Sequence, residues 1–173
     1  MQDLDILNNS YLIIGGPKSK KSEVARLLSK KLKYKLINLD REKYSYFNDF
    51  TDYDFNTYQS IKEKYGDIKA LTYIHKYEMK HLEFVLENID KNVVIDFGNT
   101  YTLLDNEELL NKIKLFKNIV LLENDIELNK FDKKLKNNKI NKRIATMTIN
   151  TDNKEEEIIV KEILNFKEFK SML

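Results

Sequence analysis

The sequence predicts an α/β protein built on one parallel sheet with helices on both faces. Three observations carry this: short apolar runs bounded by turn residues, helix-period patterns between those runs, and their alternation along all 173 residues. A chain of this length is expected to form one domain, 1–173, without an internal linker, and to bury about 70% of its unfolded surface.

Tyr11 to Ile14 is a continuous apolar run ending in Gly15, Gly16 and Pro17, a buried strand followed by a turn. Val24, Leu27, Leu28 and Leu32 then recur at helical spacing across 22–33. Lys35 to Leu39 reads as a second strand closing at Asp40, and helical patterns fill much of 41–90. Asn92 to Asp96 is the third strand. Asp105 and Glu108 have capping-box spacing ahead of Leu109, Leu110 and Ile113, which predicts a helix start. Asn118 to Leu122 forms a fourth strand, 126–137 a helix, and Ala145 to Ile149 a fifth strand. Asp152 with Glu155 opens a last helix running to about residue 169.

Composition removes several classes of function. Cysteine is absent, so disulfides, thiolate metal sites and thiol nucleophiles are excluded. No apolar run approaches 18 residues, and the first ten residues, MQDLDILNNS, are polar, so a membrane span and a secretory signal are not expected. The expectation is a cytoplasmic protein. A net charge of +2 gives no global field for nucleic acid. Lysines outnumber arginines by 27 to 3, a bias of AT-rich coding that weakens any argument from lysine counts alone.

The four glycines and one proline are few, and three of these five residues fall in one turn, Gly15, Gly16 and Pro17. The segment Gly15 to Ser22, GGPKSKKS, follows a strand and opens a helix. It fits the phosphate-loop pattern GxxxxGK[ST] at Gly15, Lys21 and Ser22. Glycine there lets backbone N–H groups face phosphate, the lysine reaches the β/γ-phosphates, and the hydroxyl binds Mg²⁺. Gly16, Lys18 and Lys20 complete the expected ATP contacts. Lys20 stands where the second glycine belongs, so either the backbone there is left-handed at a cost of about 1–2 kcal/mol or the side chain crowds the phosphate. Val93, Val94, Ile95 and Asp96 are three apolar residues and an acid, the form of a Walker B strand end. Asp96 is thus expected to support Mg²⁺ together with Ser22.

Tyr11 to Asp40, YLIIGGPKSKKSEVARLLSKKLKYKLINLD, resembles the opening of shikimate kinases and related small-molecule P-loop kinases. The resemblance resumes at 92–100 and at 145–164 and covers most of the chain with spaced identities. It implies a three-layer P-loop kinase fold with a five-stranded parallel sheet, order 2-3-1-4-5. It also implies phosphoryl transfer from ATP, with Mg²⁺, to a small hydroxylated substrate. Arg26 falls where that family has an arginine in its first helix, and Asp40 where an aspartate binds the substrate. By this resemblance Lys21, Asp40 and Asp96 are the catalytic candidates, and Asn38, Asp40, His75 and Gly98 lie on the substrate side.

The chain also departs from that family. Asn38 replaces an acid that helps hold magnesium through water, and asparagine cannot serve as a carboxylate base. Ile74 to Glu78 matches a Phe-Arg-x-x-Glu frame with His75 in the arginine's place. Histidine lacks the bidentate fork, which puts recognition of a carboxylate substrate in doubt. Glu78 lies within the apolar stripe of Leu71, Ile74, Leu82, Val85 and Ile89, and His75 one turn earlier is its expected hydrogen-bond partner. Asp96, Phe97, Gly98, Asn99 and Thr100 stand where shikimate kinases have a glycine triplet. The arginine-rich lid is reduced to 128–143, with Lys139, Lys142 and Arg143 as its candidates for approaching ATP.

Seven aromatics between Tyr44 and Tyr58 read either as a small apolar subcore or as a platform for a planar ligand or a partner. Three functions stay open on the sequence: a shikimate kinase-like enzyme, a nucleoside or nucleotide kinase, and a non-catalytic kinase-fold protein that binds nucleotide or a protein partner.

Overall fold

The computed structural model describes residues 3–172, and their side chains except those of 167–171. Met1, Gln2 and Leu173, part of the single expected domain, lie outside the described residues. In chain order the elements are α1 (Leu4–Asn9), β1 (Tyr11–Gly15), α2 (Lys21–Leu32), β2 (Lys35–Asn38), α3 (Leu39–Phe50), α4 (Phe55–Tyr65) and α5 (Asp67–Glu87). There follow β3 (Val93–Asp96), α6 (Glu107–Lys114), β4 (Asn118–Glu123), α7 (Lys130–Lys136), α8 (Lys139–Ile144), β5 (Met147–Asn150) and α9 (Glu156–Ser171).

The five strands form one sheet in the order β2-β3-β1-β4-β5, every pair parallel. The expected topology is the one observed. Strand alternation splits the core in two. Leu12 and Ile14 enter a layer with Ile95, Ile119 and Leu121 under α5 and α6, while Tyr11 and Ile13 enter another with Val94 and Val120 under α2 and α9. Burial on both faces explains why the strands read as unbroken apolar runs. Phe47, Ile74 and Tyr77 make a third, small cluster flanked by Tyr46, Tyr53, Tyr58 and Tyr73. Most of the aromatics of 44–58 therefore pack on one another, although Tyr44, Phe50 and Phe55 remain exposed.

Local structure corrects the sequence at several ends. The second strand stops at Asn38, whose side chain accepts from Arg41 N and caps α3, so Leu39 and Asp40 are the first helical residues rather than the strand's close. Asn106, not Asp105, caps α6 through Leu109 N at 3.1 Å. The helix expected over 126–137 begins only at Lys130, after the cap Asn129, and is followed by a second short helix capped by Asn138. Asp152 caps nothing: its carboxylate accepts from Asp125 N. Residues 4–9, read as polar N-terminus, are helical because Asp3 caps them and Ile6 and Leu7 are buried.

Replacing Asn106 with Ala is expected to lower the unfolding free energy by about 1 kcal/mol, whereas Asp105→Ala changes it by less than about 0.5 kcal/mol. Urea denaturation of the two variants checks the assignment of the cap.

Candidate active site

The carboxyl edge of the sheet, where open parallel sheets hold ligands, is ringed by the residues that follow β1, β2 and β3. After β1 the chain turns through Gly15 to Lys20 into α2. A Cβ on Gly15 would lie 2.5 Å from the Leu122 carbonyl oxygen, so only glycine passes β4 at this point. A Cβ on Gly16 would lie 2.8 Å from Lys136 Cα, so this glycine serves the close approach of α7. The Gly16 carbonyl accepts from Ser19 Oγ and Lys21 Nζ, both at 2.7 Å, which draws the turn closed. Asn124 Nδ2 supports it from β4's end by donating to Lys18 O at 2.8 Å.

Lys20 is left-handed at φ 67°, ψ 18°, as is Lys18 at φ 59°. Of the two outcomes open at the missing glycine, the structure takes the strained backbone. The side chain does not fill the turn. Its Nζ donates to Lys154 O at 2.6 Å, on the connection from β5 to α9. The first N–H groups of α2 therefore keep their place facing the turn, where a helix N-terminus favours an anion.

Lys21 points into this edge and is buried. Its ammonium donates to Gly16 O and also to Asn99 Oδ1 at 2.8 Å. Burial pushes its pKa down to about 8, against the opposing pull of Asp96 and Asp40. Ser22, on the exposed side of the same turn, donates from Oγ to Asp96 Oδ2 at 2.8 Å. Asp96 is buried and collects two further donors, Asn38 Nδ2 at 3.2 Å and Gly98 N at 3.0 Å. Gly98 has φ +64°, and a Cβ there would lie 2.1 Å from Asp40 Oδ2. That close approach sets Asp40 beside the Asp96 turn, with 42% of its side chain exposed.

One turn into α3, Lys43 reaches Asp40 Oδ1 at 3.3 Å and Glu78 Oε2 at 3.0 Å. Glu78 is fully buried on α5 and accepts from Thr100 Oγ1 at 2.9 Å as well. Burial raises the Glu78 pKa, opposed by Lys43 and Thr100. Burial also disfavours the Lys43 charge, but Glu78 and Asp40 outweigh it and leave the Lys43 pKa above the ordinary lysine value. The expected His75–Glu78 hydrogen bond is absent: His75 Nδ1 stands 4.0 Å from Glu78 Oε1 and has no hydrogen-bond partner among the described residues. His81, an apolar-face histidine, instead meets Tyr101 OH at 2.7 Å, and burial pushes its pKa down to about 4.

Two of the three lid candidates approach the turn. Lys139 and Lys142 line a cavity of about 340 Å³ together with Gly16, Pro17 and Lys136. Arg143 does not, because it extends from α8 to Glu107 of α6 at 3.6 Å. Arg26 pairs with Glu23 on the exposed face of α2. Gly15, Gly16, Lys18, Lys20, Lys21, Ser22, Asn38, Asp40, Asp96 and Gly98 are brought to one edge of the sheet. Lys43, Asn99, Thr100, Asn124 and Lys136 join them without a sequence signal, since each is fixed by a contact distant in the chain.

The fold recurs in solved structures. The shikimate kinase of Aquifex aeolicus superposes with a TM-score of 0.64 at 26% identity, over 94% of this chain and 98% of its own. The chain has the fold of the shikimate kinases. A second one, from Acinetobacter baumannii in complex with shikimate, gives a TM-score of 0.67 at 15% identity, over 93% of each chain. The YorR protein of Bacillus subtilis, in complex with phosphorylated GDP, gives 0.53 at 18% identity, over 94% of this chain and 98% of that one. No protein-family model matches the sequence, and no curated protein matches it either. Among the described residues no helix is long and apolar enough to cross a membrane.

Because the Lys21 pKa is about 8 folded against 10.5 ordinarily, the unfolded chain holds more protons on this residue between those values. Stability attributable to Lys21 therefore rises with pH across that window and is lost as pH falls towards 8. The difference in unfolding free energy between the wild type and Lys21→Met is expected to move by about 2–3 kcal/mol in the wild type's favour from pH 7.5 to pH 10. Parallel urea titrations of the two proteins measure it; a difference independent of pH contradicts a depressed Lys21.

Proposed function

We propose that this protein transfers the terminal phosphoryl group of ATP to a hydroxyl of a small metabolite. The observation that carries the reading is the pair Ser22 Oγ and Asp96 Oδ2, 2.8 Å apart beside the buried Lys21 at the start of α2. Small-molecule kinases with this fold, among them the shikimate kinases, support it.

A hydroxyl and a carboxylate oxygen are the hard donors that suit Mg²⁺, and Ser22 is open to solvent, so the residues present fit the ion. Bound there with ATP, magnesium would shield the phosphate charge and align the reacting group. Asn38 makes this a site with one carboxylate. An acid at 38 would face Asp96 at about the 3.2 Å now spanned by a hydrogen bond, and like charges that close oppose each other. The amide instead donates and holds Asp96 in orientation. Lys21 would exchange its bonds to Gly16 O and Asn99 for phosphate oxygens and stabilise charge as it develops. The turn and the N–H groups of α2 would cradle the phosphates. Asp40 would accept the hydrogen bond of the attacking hydroxyl and take up its proton.

Asp96 at the end of an apolar strand also favours a second reading, a kinase acting on nucleosides or nucleotides. Either reading implies a cytoplasmic protein whose partners are a nucleotide and a small molecule, with no need of nucleic acid.

Calorimetric titration with ATP, with and without magnesium, tests the reading. Magnesium-dependent binding is expected, weakened about tenfold or more in Asp96→Asn because a charged metal ligand is lost. Binding without any transfer across acceptors would leave a nucleotide-binding protein, and no binding at all would remove the kinase. Lys20→Gly is expected to raise the unfolding free energy measured by urea denaturation by about 1 kcal/mol, since the turn already holds the left-handed backbone, and to change ATP affinity by less than about threefold while Lys20 Nζ is engaged elsewhere. Weaker binding by that variant would instead make Lys20 a phosphate ligand.

A further inference from the structure

We propose that the acceptor is an uncharged polyhydroxyl compound, because the cation on the acceptor side is already held by two carboxylates of the protein itself. This rests on the kinase reading and names the substrate class of the same site.

Lys43 is the cation that stands beside Asp40. Its Nζ lies 3.0 Å from Glu78 Oε2 and 3.3 Å from Asp40 Oδ1, and its side chain is only 12% exposed. Glu78 is fully buried. Two of the three N–H donors of Lys43 are given to these carboxylates, and a substrate carboxylate that drew the ammonium off Glu78 would leave an acid in the interior with Thr100 as its remaining close donor. An uncompensated buried charge is among the costlier defects a protein can carry. The local balance also opposes an anion: Asp40, Glu78 and Asp96 are three acids against the two cations Lys43 and Lys21.

His75, Arg26, Arg143 and Lys21 do not change this. His75 offers no fork, and its Nδ1 is buried without a partner among the described residues. Arg26 is turned to Glu23, and Arg143 to Glu107. Lys21 faces the phosphate turn through Gly16 O and Asn99. What the edge does present to an acceptor is a half-exposed carboxylate on Asp40 and the amide of Asn38, which itself is bound to Asp96 and Arg41 N. Asp40 accepts hydrogen bonds and does not donate them, so its complement is a set of hydroxyls. Recognition by hydroxyls needs no displaced ion pair and leaves Lys43 in place.

The test compares matched acceptors that differ in the acid. The wild-type chain, loaded with magnesium and a non-hydrolysable ATP analogue, is titrated calorimetrically with shikimate and its methyl ester, and with gluconate and glucitol. ADP release with ATP follows the same compounds together with ribitol and myo-inositol. At least one uncharged compound is expected to bind and to be phosphorylated, and the uncharged member of its pair to bind at least about 10-fold more tightly than the acid. Glu78→Gln keeps the side chain's shape while freeing Lys43 from one carboxylate. It is expected to shift the ratio about 10-fold towards the acid. Preference of the wild type for either acid overturns the proposal, and so does binding of none of these compounds while the analogue still binds. Failure of the analogue itself to bind overturns the kinase reading beneath it, and is seen in the first titration before any acceptor is added. The wild-type comparison decides the matter even where Glu78→Gln fails to fold.

Discussion

Asp96 is the point at which the edge of this sheet is tied together. Its carboxylate is buried, and such a group is stable only where donors surround it. The three it finds come from three parts of the chain: Ser22 at the start of α2, Asn38 at the end of β2, and Gly98 in the turn after β3. β3 lies between β1 and β2, so its last residue reaches both neighbours' carboxyl ends. The same turn brings Gly98 against Asp40 and Asn99 against Lys21. The turn after β1, the start of α3 and the turn after β3 thus share one anchor.

The parts of this site legible in the sequence were those written in local spacing. A strand, a glycine turn and Lys21-Ser22 at a helix start need only the order of residues, and Asp96 needs only an apolar run before it. Strand order followed from the resemblance, and burial on both faces from the alternation of strands and helices. The illegible parts were settled by groups far apart in the chain. Glu78 announced itself as an acid on an apolar stripe and needed a partner, but its nearest polar neighbour on the helix, His75, was not that partner. Lys43, on a different helix 35 residues away, took the place because its longer chain reaches between α3 and α5. Helix ends were misplaced where two capping residues stood side by side, as at Asp105 and Asn106, since spacing cannot tell which of them turns towards the backbone.

The lid shows a further limit of pattern. Residues 128–143 read as a reduced lid, and charge alone would send every lysine to solvent or to phosphate. The fold divides them instead. Lys136 packs its own Cα against Gly16 and turns its ammonium to Asn124 O, while Lys139 and Lys142 line the cavity beside it and Arg143 leaves for α6. A small residue at 16 is thus required by the lid as well as by the turn, which couples the position of α7 to the shape of the phosphate loop.

Three marks in the sequence suggested a site in decay: Lys20 for glycine, Asn38 for an acid, and a short lid. In the fold each keeps the geometry that its change of residue threatened. Lys20 holds a left-handed backbone at φ 67° and sends its ammonium out to Lys154 O, so the turn keeps its shape at a local conformational cost. Asn38 stays within 3.2 Å of Asp96 as a donor, replacing charge repulsion with orientation. The segment expected to be a short lid still reaches the turn through Lys136. A phosphate loop acts chiefly through backbone N–H groups, one lysine and one hydroxyl, and those depend on dihedrals and on the start of α2 more than on the identity of residue 20. Divergence of this kind removes a sequence signature faster than it removes a backbone geometry, and the fold is similar to that of a shikimate kinase at 26% identity.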